Sequence, residues 1–251
     1  MCLILFSYQK HPDFPLIVLA NRDEFYSRPT QALHWWEDKP AILAGKDKQE
    51  GGTWLGVTKT GRFAALTNFR ETGSRNGVKS RGHLTSDFLS GEQTPLEFLQ
   101  QVDKTHQRYN GFNLLLGDTE GLYYYSNREH ITHQLKPGLY GLSNHLLNTA
   151  WPKVCGGLEA LKAFAEQTPD PESFFSLLRN EEVADDTRLP DTGVGLTAER
   201  MLSPRFIKSS VYGTCCSSLV LQDQQGKLTF NERRFGSEGV VLGESTVSFQ
   251  I

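Results

Sequence analysis

Short runs of β-branched, aromatic and aliphatic residues, separated by turn residues, recur along most of the chain. The first two runs, CLILFSY and PLIVLANR, flank the turn signal His11-Pro12-Asp13, and this pattern predicts a hairpin in which Cys2 begins a strand. Many later runs are joined by glycine-containing turns, which again predict hairpins. These runs are AILAG, TWLGVT, RFAALTNF, FNLLLGD, GLYYYSNR, SSVYGTCCSSLVL, KLTFNERRF and STVSFQI.

Helical periodicity is confined to the middle of the chain, over residues 85–89, 94–109, 151–166 and 171–178. Thr94-Pro95 and Asp170-Pro171 are typical helix starts, with a capping residue followed by proline in the first turn. Strands flanking a helical block predict an α+β layered sandwich, because an apolar sheet face has to be covered. No linker or repeat divides the chain, so we expect one domain over residues 1–251.

Two segments, 70–80 and 181–197, are rich in glycine, charge or proline and are predicted to be loops. They are candidate rims or lids of a pocket. Plain surface loops are the more common outcome for such segments.

Net charge, apolar runs and cysteine content argue against several classes of function. The chain has 251 residues and a net charge of -3, which gives no broad basic surface for nucleic acid. No apolar run is long enough for a membrane-spanning helix, and the N-terminus lacks the features of a secretory signal. The four cysteines are too few and too unevenly spaced for a disulfide framework, so we expect a cytoplasmic protein.

Cys2 is the first candidate for chemistry. Cysteine is small enough to allow removal of the initiator methionine, which would leave a thiol and a free α-amine on one residue. Both groups titrate close to neutral pH, so the amine can accept the thiol proton. The alternative is that Cys2 is a small apolar residue in a strand, or that Met1 is retained and Cys2 has no free amine.

The run Asn21-Arg22-Asp23-Glu24 ends the second predicted strand. Strand alternation directs Asn21 and Asp23 to one face and Arg22 and Glu24 to the other. A guanidinium near a thiol lowers the thiol pKa, and a carboxylate can orient an α-amine. A surface turn with a local ion pair would explain the same residues.

Two asparagines and one glycine-rich segment complete the candidates. Asn68 and Asn144 both occur where a strand gives way to a loop, and side-chain amides there can donate to an oxyanion, although asparagine is also a common loop residue. GGTWLG at 51–56 indicates close backbone approach beside Trp54, which either fills the core or covers a pocket.

The histidines give no metal-binding spacing. His130 and His133 are close in sequence, but no further ligand pair accompanies them, and Cys215 and Cys216 are adjacent rather than spaced like zinc ligands. We therefore expect no zinc and no cofactor.

The motifs taken together resemble a known family. Met-Cys-Leu-Ile, ANRDE, GGTWLG, LTNFRE, YNGFNLLLGD, GLSN and VYGT, in this order, are similar to the NRDE family, also called the Transport and Golgi organisation protein 2 family. The resemblance extends essentially from end to end. It implies the αββα four-layer sandwich of the N-terminal-nucleophile (Ntn) hydrolases, with largely antiparallel sheets, and a distant relationship to penicillin V acylase and bile salt hydrolase.

The resemblance also implies roles for individual residues. Cys2 matches the nucleophile, Asn68 the oxyanion-hole asparagine, and Asn144 the second asparagine of the pocket. Arg22 and Asp23 are adjacent here but separated in the acylases, so the alignment can instead match Glu24 and Asn21 to that pair. Cys215 occupies the position at which relatives carry an arginine, so the expected site has one positive charge fewer.

The leading hypothesis is an Ntn-type amidohydrolase that cleaves a small amide through Cys2, with an apolar acyl group bound near Trp35, Trp36 and Trp54. Family members have been linked to haem mobilisation, lipid or acyl-CoA handling and secretory-pathway organisation. The resemblance therefore also allows a non-catalytic carrier of a hydrophobic ligand, and a scaffold without a small-molecule site is the third possibility.

Overall fold

The computed structural model describes residues 2–73, 79–164 and 167–251, so the tip of the predicted 70–80 loop and the predicted helix end at residue 166 lie outside the described residues. Thirteen strands and five α-helices make up the regular structure. The strands are β1 (Cys2–Tyr8), β2 (Leu16–Phe25), β3 (Thr30–Trp35), β4 (Ile42–Asp47), β5 (Leu55–Thr58), β6 (Phe63–Asn68), β7 (Phe112–Gly117), β8 (Leu122–Ser126), β9 (Thr132–Gln134), β10 (Gly138–Leu142), β11 (Tyr212–Gln222), β12 (Lys227–Phe235) and β13 (Val241–Gln250). The helices are α1 (Gly82–Ser90), α2 (Pro95–Thr105), α3 (Pro152–Lys162), α4 (Pro171–Leu178) and α5 (Leu196–Leu202).

The strands form two antiparallel sheets. The first has six strands in the order β10-β1-β2-β11-β12-β13, and the second has seven strands in the order β3-β4-β5-β6-β7-β8-β9. The second sheet is a meander of consecutive strands. The first sheet joins the N-terminal hairpin to strands from the C-terminal part of the chain, so β2 pairs with β11 across a long separation in sequence.

Three apolar clusters define four layers. One cluster lies between the two sheets and includes Ile4, Phe6 and Leu115. A second packs α1 and α2 on the seven-stranded sheet, and a third packs α3 and α4 on the six-stranded sheet. The order helices, sheet, sheet, helices confirms the αββα sandwich that the resemblance implies.

The helix starts follow the sequence signals. The Thr94 side chain accepts a hydrogen bond from the backbone of Glu97, and the Glu97 carboxylate accepts one from the backbone of Thr94, which completes a capping box before α2. Asp170 accepts from the backbone of Ser173 before α4. These local hydrogen bonds explain why both helices begin where the sequence predicts.

The pattern missed three strands and one helix. β3 is largely exposed, β9 has three residues, and β10 contains two glycines, so none shows a clear alternation of apolar residues. α5 begins inside the predicted loop 181–197 and buries Leu202 and Glu199. None of the helices that the structure describes combines the length and the apolar character needed to cross a bilayer.

Candidate active site

A cavity of about 120 Å³ opens at the end of the sandwich where β1 begins and β2 ends. It is lined mainly by polar and charged side chains, and it lies between the two sheets and the start of α1. Its lining residues are Cys2, Arg22, Asp23, Glu24, Arg28, Asp47, Thr53, Trp54, Leu66, Asn68, Ser80, Arg81 and Gly82. Four of the five residues singled out from the sequence therefore line one cavity.

Cys2 is the first residue of β1 and lies opposite Arg22 of β2 in the antiparallel register. Opposed residues direct their side chains to the same face, so the thiol and the guanidinium share the inter-sheet face. The Ser143 hydroxyl donates to the Cys2 carbonyl at 3.0 Å and fixes this strand end. Burial raises the pKa of the Cys2 thiol, while Arg22 and a backbone hydrogen bond from Asp23 oppose that rise. The thiol is thus protonated at neutral pH and needs a base in order to react.

The alternation predicted for Asn21 to Glu24 is confirmed. Asn21 turns toward the helical layer, where its amide donates to the carbonyls of Leu178 and Arg205 at 3.0 and 2.7 Å. Arg22 turns the other way, with its guanidinium 4.3 Å from the centre of the Trp54 ring. Asn21 therefore has a structural role, and Arg22 is the residue of this run whose guanidinium is available to the thiol.

Asp23 is buried at the edge of the cavity. Its Oδ1 accepts a hydrogen bond of 2.7 Å from the Thr214 hydroxyl, and the Tyr212 hydroxyl donates to its main-chain carbonyl at 3.1 Å. Desolvation raises the pKa of the Asp23 carboxyl, and the positive charge of Lys153 is the main influence that opposes the rise. The carboxylate is therefore held rigidly beside the N-terminal end of β1.

Lys153 is a residue that the sequence reasoning missed. It lies in the first turn of α3 and is 4% exposed, and burial lowers the pKa of its amine to about 8 while Asp23 raises it. Within the described residues, its Nζ has no hydrogen-bond partner. The sequence did contain a signal for this buried lysine. One face of α3 carries Lys153, Gly157 and Leu161. A lysine on an otherwise apolar helix face indicates a buried charge.

The two asparagines are in contact but occupy different positions. Asn68 ends β6 and lines the cavity with Cys2. Asn144 is fully buried behind it, where its amide nitrogen donates to the Asn68 carbonyl at 2.8 Å, and its Oδ1 accepts from Ser143 at 3.4 Å. In this structure Asn144 holds the backbone of Asn68, and Asn68 presents its side chain at the cavity.

Arg81 adds a guanidinium to the cavity from the residue before α1. It donates to the Gly111 carbonyl at 3.0 Å, and burial lowers its pKa while the proximity of Cys2 and Glu24 raises it. The glycine-rich segment makes this approach possible, because a Cβ on Gly52 would lie 2.4 Å from the main chain of Gly82. No periodicity or motif marks Arg81 in the sequence; only the packing of α1 against the 51–53 segment brings it to Cys2.

The predicted loop 181–197 is tied to the site at its far end. Glu199 of α5 forms a buried ion pair of 2.5 Å with Arg70, and the Arg70 backbone donates to the Asn144 carbonyl at 2.7 Å. Thr192 also donates to Glu199 from its hydroxyl and its backbone. The segment is therefore anchored behind the two asparagines through Thr192, while most of its other residues are exposed at the surface.

A second cavity of about 230 Å³ lies beside the first and shares Arg22, Arg28 and Trp54 with it. Its other lining residues are Tyr26, Pro29, Thr30, Cys215, Cys216, Glu232, Arg234, Phe235, Gly236 and Leu242. The expectation for the tryptophans is corrected here. Trp36 is buried with its indole donating to Ala44, and Trp35 packs on Phe249, so of the three only Trp54 lines a cavity near Cys2.

Comparison with known proteins agrees with this architecture. The solved structure of a Caenorhabditis elegans N-acylethanolamine-hydrolyzing acid amidase (NAAA) ortholog is similar with a TM-score of 0.52 at 10% sequence identity, covering 88% of this chain and 92% of that chain. At this identity the likeness shows the fold alone, which is that of an Ntn hydrolase.

Sequence comparison shows the family. The chain is 35% identical over 278 residues to the Transport and Golgi organization protein 2 homolog of Bos taurus, covering 100% of this chain and 99% of that protein. It is 36% identical over 259 residues to the Homo sapiens homolog, with 93% and 92% covered, and 28% identical over 263 residues to the Drosophila melanogaster protein, with 92% and 91% covered. The family model Transport and Golgi organisation 2 matches residues 1–237. The chain therefore belongs to the Transport and Golgi organisation 2 family.

Proposed function

We propose that this protein is an Ntn-type cysteine amidohydrolase in which Cys2 is the nucleophile. The observation that carries the proposal is the cavity that gathers Cys2, Arg22, Asp23 and Asn68 at the N-terminal end of β1. A thiol, a cation, a carboxylate and an amide donor are the groups that acyl transfer through an N-terminal cysteine requires. A similar fold in an amidase that hydrolyses N-acylethanolamines supports the same reaction class.

The reaction requires removal of Met1, because the base is the α-amine of Cys2. The amine takes the thiol proton as sulfur attacks the amide carbonyl, and a C–S bond forms. The amine then returns the proton to the leaving nitrogen as the C–N bond breaks, which leaves a thioester. Water attacks the thioester with the amine again accepting a proton, the C–S bond breaks, and the carboxylic acid and the free thiol are released.

The remaining residues support these steps. Asn68 donates its side-chain amide to the oxyanion, and Asn144 keeps Asn68 in place through the hydrogen bond to its carbonyl. Arg22 stabilises developing negative charge on sulfur, and Asp23 orients the α-amine. Burial raises the pKa of the thiol, so the α-amine is needed to accept its proton.

The test uses the chain with and without a free Cys2 amine. We would prepare a variant whose N-terminal extension ends in a specific protease site directly before Cys2, and assay amide hydrolysis before and after cleavage. The substrates are a panel of acyl amides that includes an N-acylethanolamine. We expect hydrolysis only after cleavage, and none in a Cys2→Ala chain cleaved in the same way. Turnover that persists in Cys2→Ala, or no turnover of any acyl amide by the cleaved chain, contradicts the proposal.

A second candidate function is favoured by the larger cavity. Tyr26, Phe235 and Leu242 give it an apolar lining, which suits a hydrophobic ligand held without chemistry. A carrier predicts saturable binding of a hydrophobic ligand that is equal in the cleaved wild-type and Cys2→Ala chains, without any turnover. The same two proteins therefore separate the two functions.

A further inference from the structure

Three metal-ligating side chains lie together where the end of α2 meets the turn after β8. Asp103, His106 and His130 each place one ligand atom within 4.8 Å of the other two, and none of the three lines the cavities near Cys2. The sequence directed attention to His130 and His133 instead. In the structure, the His133 ring lies 3.2 Å from Glu129, outside this group.

The spacing of two of the ligands already suits a metal ion. The Oδ1 of Asp103 and the Nδ1 of His130 are 3.3 Å apart. Two ligand atoms bound to a tetrahedral zinc ion at about 2.0 to 2.1 Å lie about 3.4 Å from each other. An ion could therefore replace the hydrogen bond between these two side chains with little movement of either.

Hydrogen bonds orient the side chains of His106 and Asp103 for metal binding. The Nδ1 of His106 lies 2.6 Å from the Asp103 carbonyl, and because a carbonyl only accepts, Nδ1 carries the proton and Nε2 keeps its lone pair. Histidines that bind metals commonly have this arrangement. The Tyr125 hydroxyl donates to Asp103 at 2.7 Å and holds the carboxylate in place.

The turn after β8 holds His130 over the helix. His130 has a φ of 60°, a left-handed conformation that is uncommon for a residue other than glycine, and its backbone donates to the Ser126 carbonyl at 2.9 Å. As a result, the rings of His130 and His106 lie with their centres 4.3 Å apart. The two histidines come from separate elements, so an ion between them would join α2 to the turn.

We propose that Asp103, His106 and His130 form a binding site for a divalent transition metal ion, with Zn²⁺ as the representative ligand. Two imidazoles and one carboxylate favour zinc, cobalt or nickel over magnesium or calcium, which prefer all-oxygen sites. Asp103 and His130 are exposed enough for water to complete the coordination. Since the ion would bind the folded chain, it would raise the melting temperature as the free ion concentration increases beyond the dissociation constant.

The test is titration of the chelator-stripped full chain with Zn²⁺ by calorimetry. We expect one ion per chain for the wild type, and a loss of affinity of at least about tenfold in both His106→Ala and His130→Ala. His133→Ala is the matched control, because His133 is a neighbouring exposed histidine outside the cluster, and it should bind as the wild type does. Tyr125→Phe keeps all three ligands but removes the hydrogen bond to Asp103, and it should weaken binding by about tenfold.

Cobalt(II) absorption separates this site from the cysteines. We expect a spectrum without thiolate-to-metal charge-transfer bands, and a zinc-dependent rise in melting temperature that disappears in His130→Ala. Thiolate bands, equal affinity in His106→Ala and the wild type, or no saturable binding by the wild type would each overturn the proposal.

Discussion

The two cavities on either side of Arg22 and Trp54 are both lined by cysteines, Cys2 in the first and Cys215 and Cys216 in the second, but the thiols of Cys2 and Cys215 have different surroundings. Cys2 begins β1, and a backbone hydrogen bond from Asp23 together with the charge of Arg22 favours its thiolate, against the effect of burial. Cys215 lies at the irregularity in β11 between Thr214 and Cys216, and its thiol donates to the Glu24 carbonyl at 3.4 Å. Burial raises the pKa of Cys215 to about 11.

The difference shows that a nearby guanidinium does not by itself make a thiol reactive. Arg22 and a backbone hydrogen bond lower the pKa of both cysteines, yet of the two only Cys2 stands at a strand end where removal of Met1 would leave a free α-amine. Cys215 faces carbonyl oxygens, which stabilise the neutral thiol. The α-amine that removal of Met1 would leave on Cys2, and not the hydrogen bonds to sulfur, therefore separates the candidate nucleophile from the cavity-lining cysteine.

The largest expected effect comes from replacing Asn68, which lines the first cavity and not the second. In Asn68→Ala, the rate of amide hydrolysis should fall by about 100- to 1000-fold, because an oxyanion donor is removed. Alkylation of Cys2 by iodoacetamide forms no oxyanion, so its rate should stay at the wild-type value. Kinetic assays combined with peptide mapping measure both effects.

Cys215→Ala is the control for that comparison and should leave both rates near the wild-type values. Equal loss of hydrolysis in Cys215→Ala and Asn68→Ala would show that the second cavity takes part in the chemistry. Slower alkylation in Asn68→Ala would show that this substitution disturbs Cys2 itself.

A smaller effect is expected at Arg22, which both cavities share. In Arg22→Gln, the pKa of Cys2 and that of Cys215 should both rise, since the cation that opposes the rise is lost. One unit of pKa corresponds to about a tenfold lower thiolate fraction below the pKa. Iodoacetamide labelling of both residues as a function of pH measures the shift.

The wild-type labelling rate of Cys2 should still increase above about pH 8.5, where an unperturbed thiol is half ionised. Arg22→Lys keeps the charge and should restore much of the rate. If labelling is unchanged in Arg22→Gln, the guanidinium does not stabilise the thiolate.

The smallest effect is expected at Lys153, which acts through Asp23 and lines neither of the two cavities. In Lys153→Met, the pKa of Asp23 should rise further, because the cation that opposes its desolvation is removed. Asp23 would then ionise at higher pH, so the acid limb of the hydrolysis profile should move upward by about one pH unit at most. A pH profile of hydrolysis measures this, with Lys162→Met, at an exposed lysine of the same helix, as the control. A profile identical to that of the wild type would remove Lys153 from the site.

Much of the fold follows from local patterns in the sequence. β1 and β12 have the bounds of the runs CLILFSY and KLTFNERRF, and α4 has the bounds of its periodic segment. Alternation along β2 correctly separates Arg22 from Asn21, because side chains in a strand change face at every residue. What the pattern missed was short, exposed or glycine-containing, as in β9, β3 and β10.

The residues of the candidate site also fall into two groups, those whose proximity follows from local sequence and those that only the packing brings together. Cys2, Arg22 and Asp23 occur in adjacent strands of one hairpin, so their proximity follows from local sequence. Asn68 and Asn144 were singled out, but their separate positions, one at the cavity and one behind it, depend on how β6 meets the segment after β10. Arg81 and Lys153 come from helices on opposite outer layers, and no local pattern specifies which helix end packs over which strand end.

The sequence by itself determined most of the elements, the candidate reactive end of the first hairpin and the family, because these depend on periodicity, on capping and on motifs whose members are neighbours. Only the tertiary structure decided that Arg81 and Lys153 lie near Cys2, that Cys215 lines a different cavity, and that His130 pairs with His106 rather than with His133. The physical reason is that these contacts arise from packing between layers. That packing is set by the total burial of apolar surface over the whole chain, and not by any segment alone.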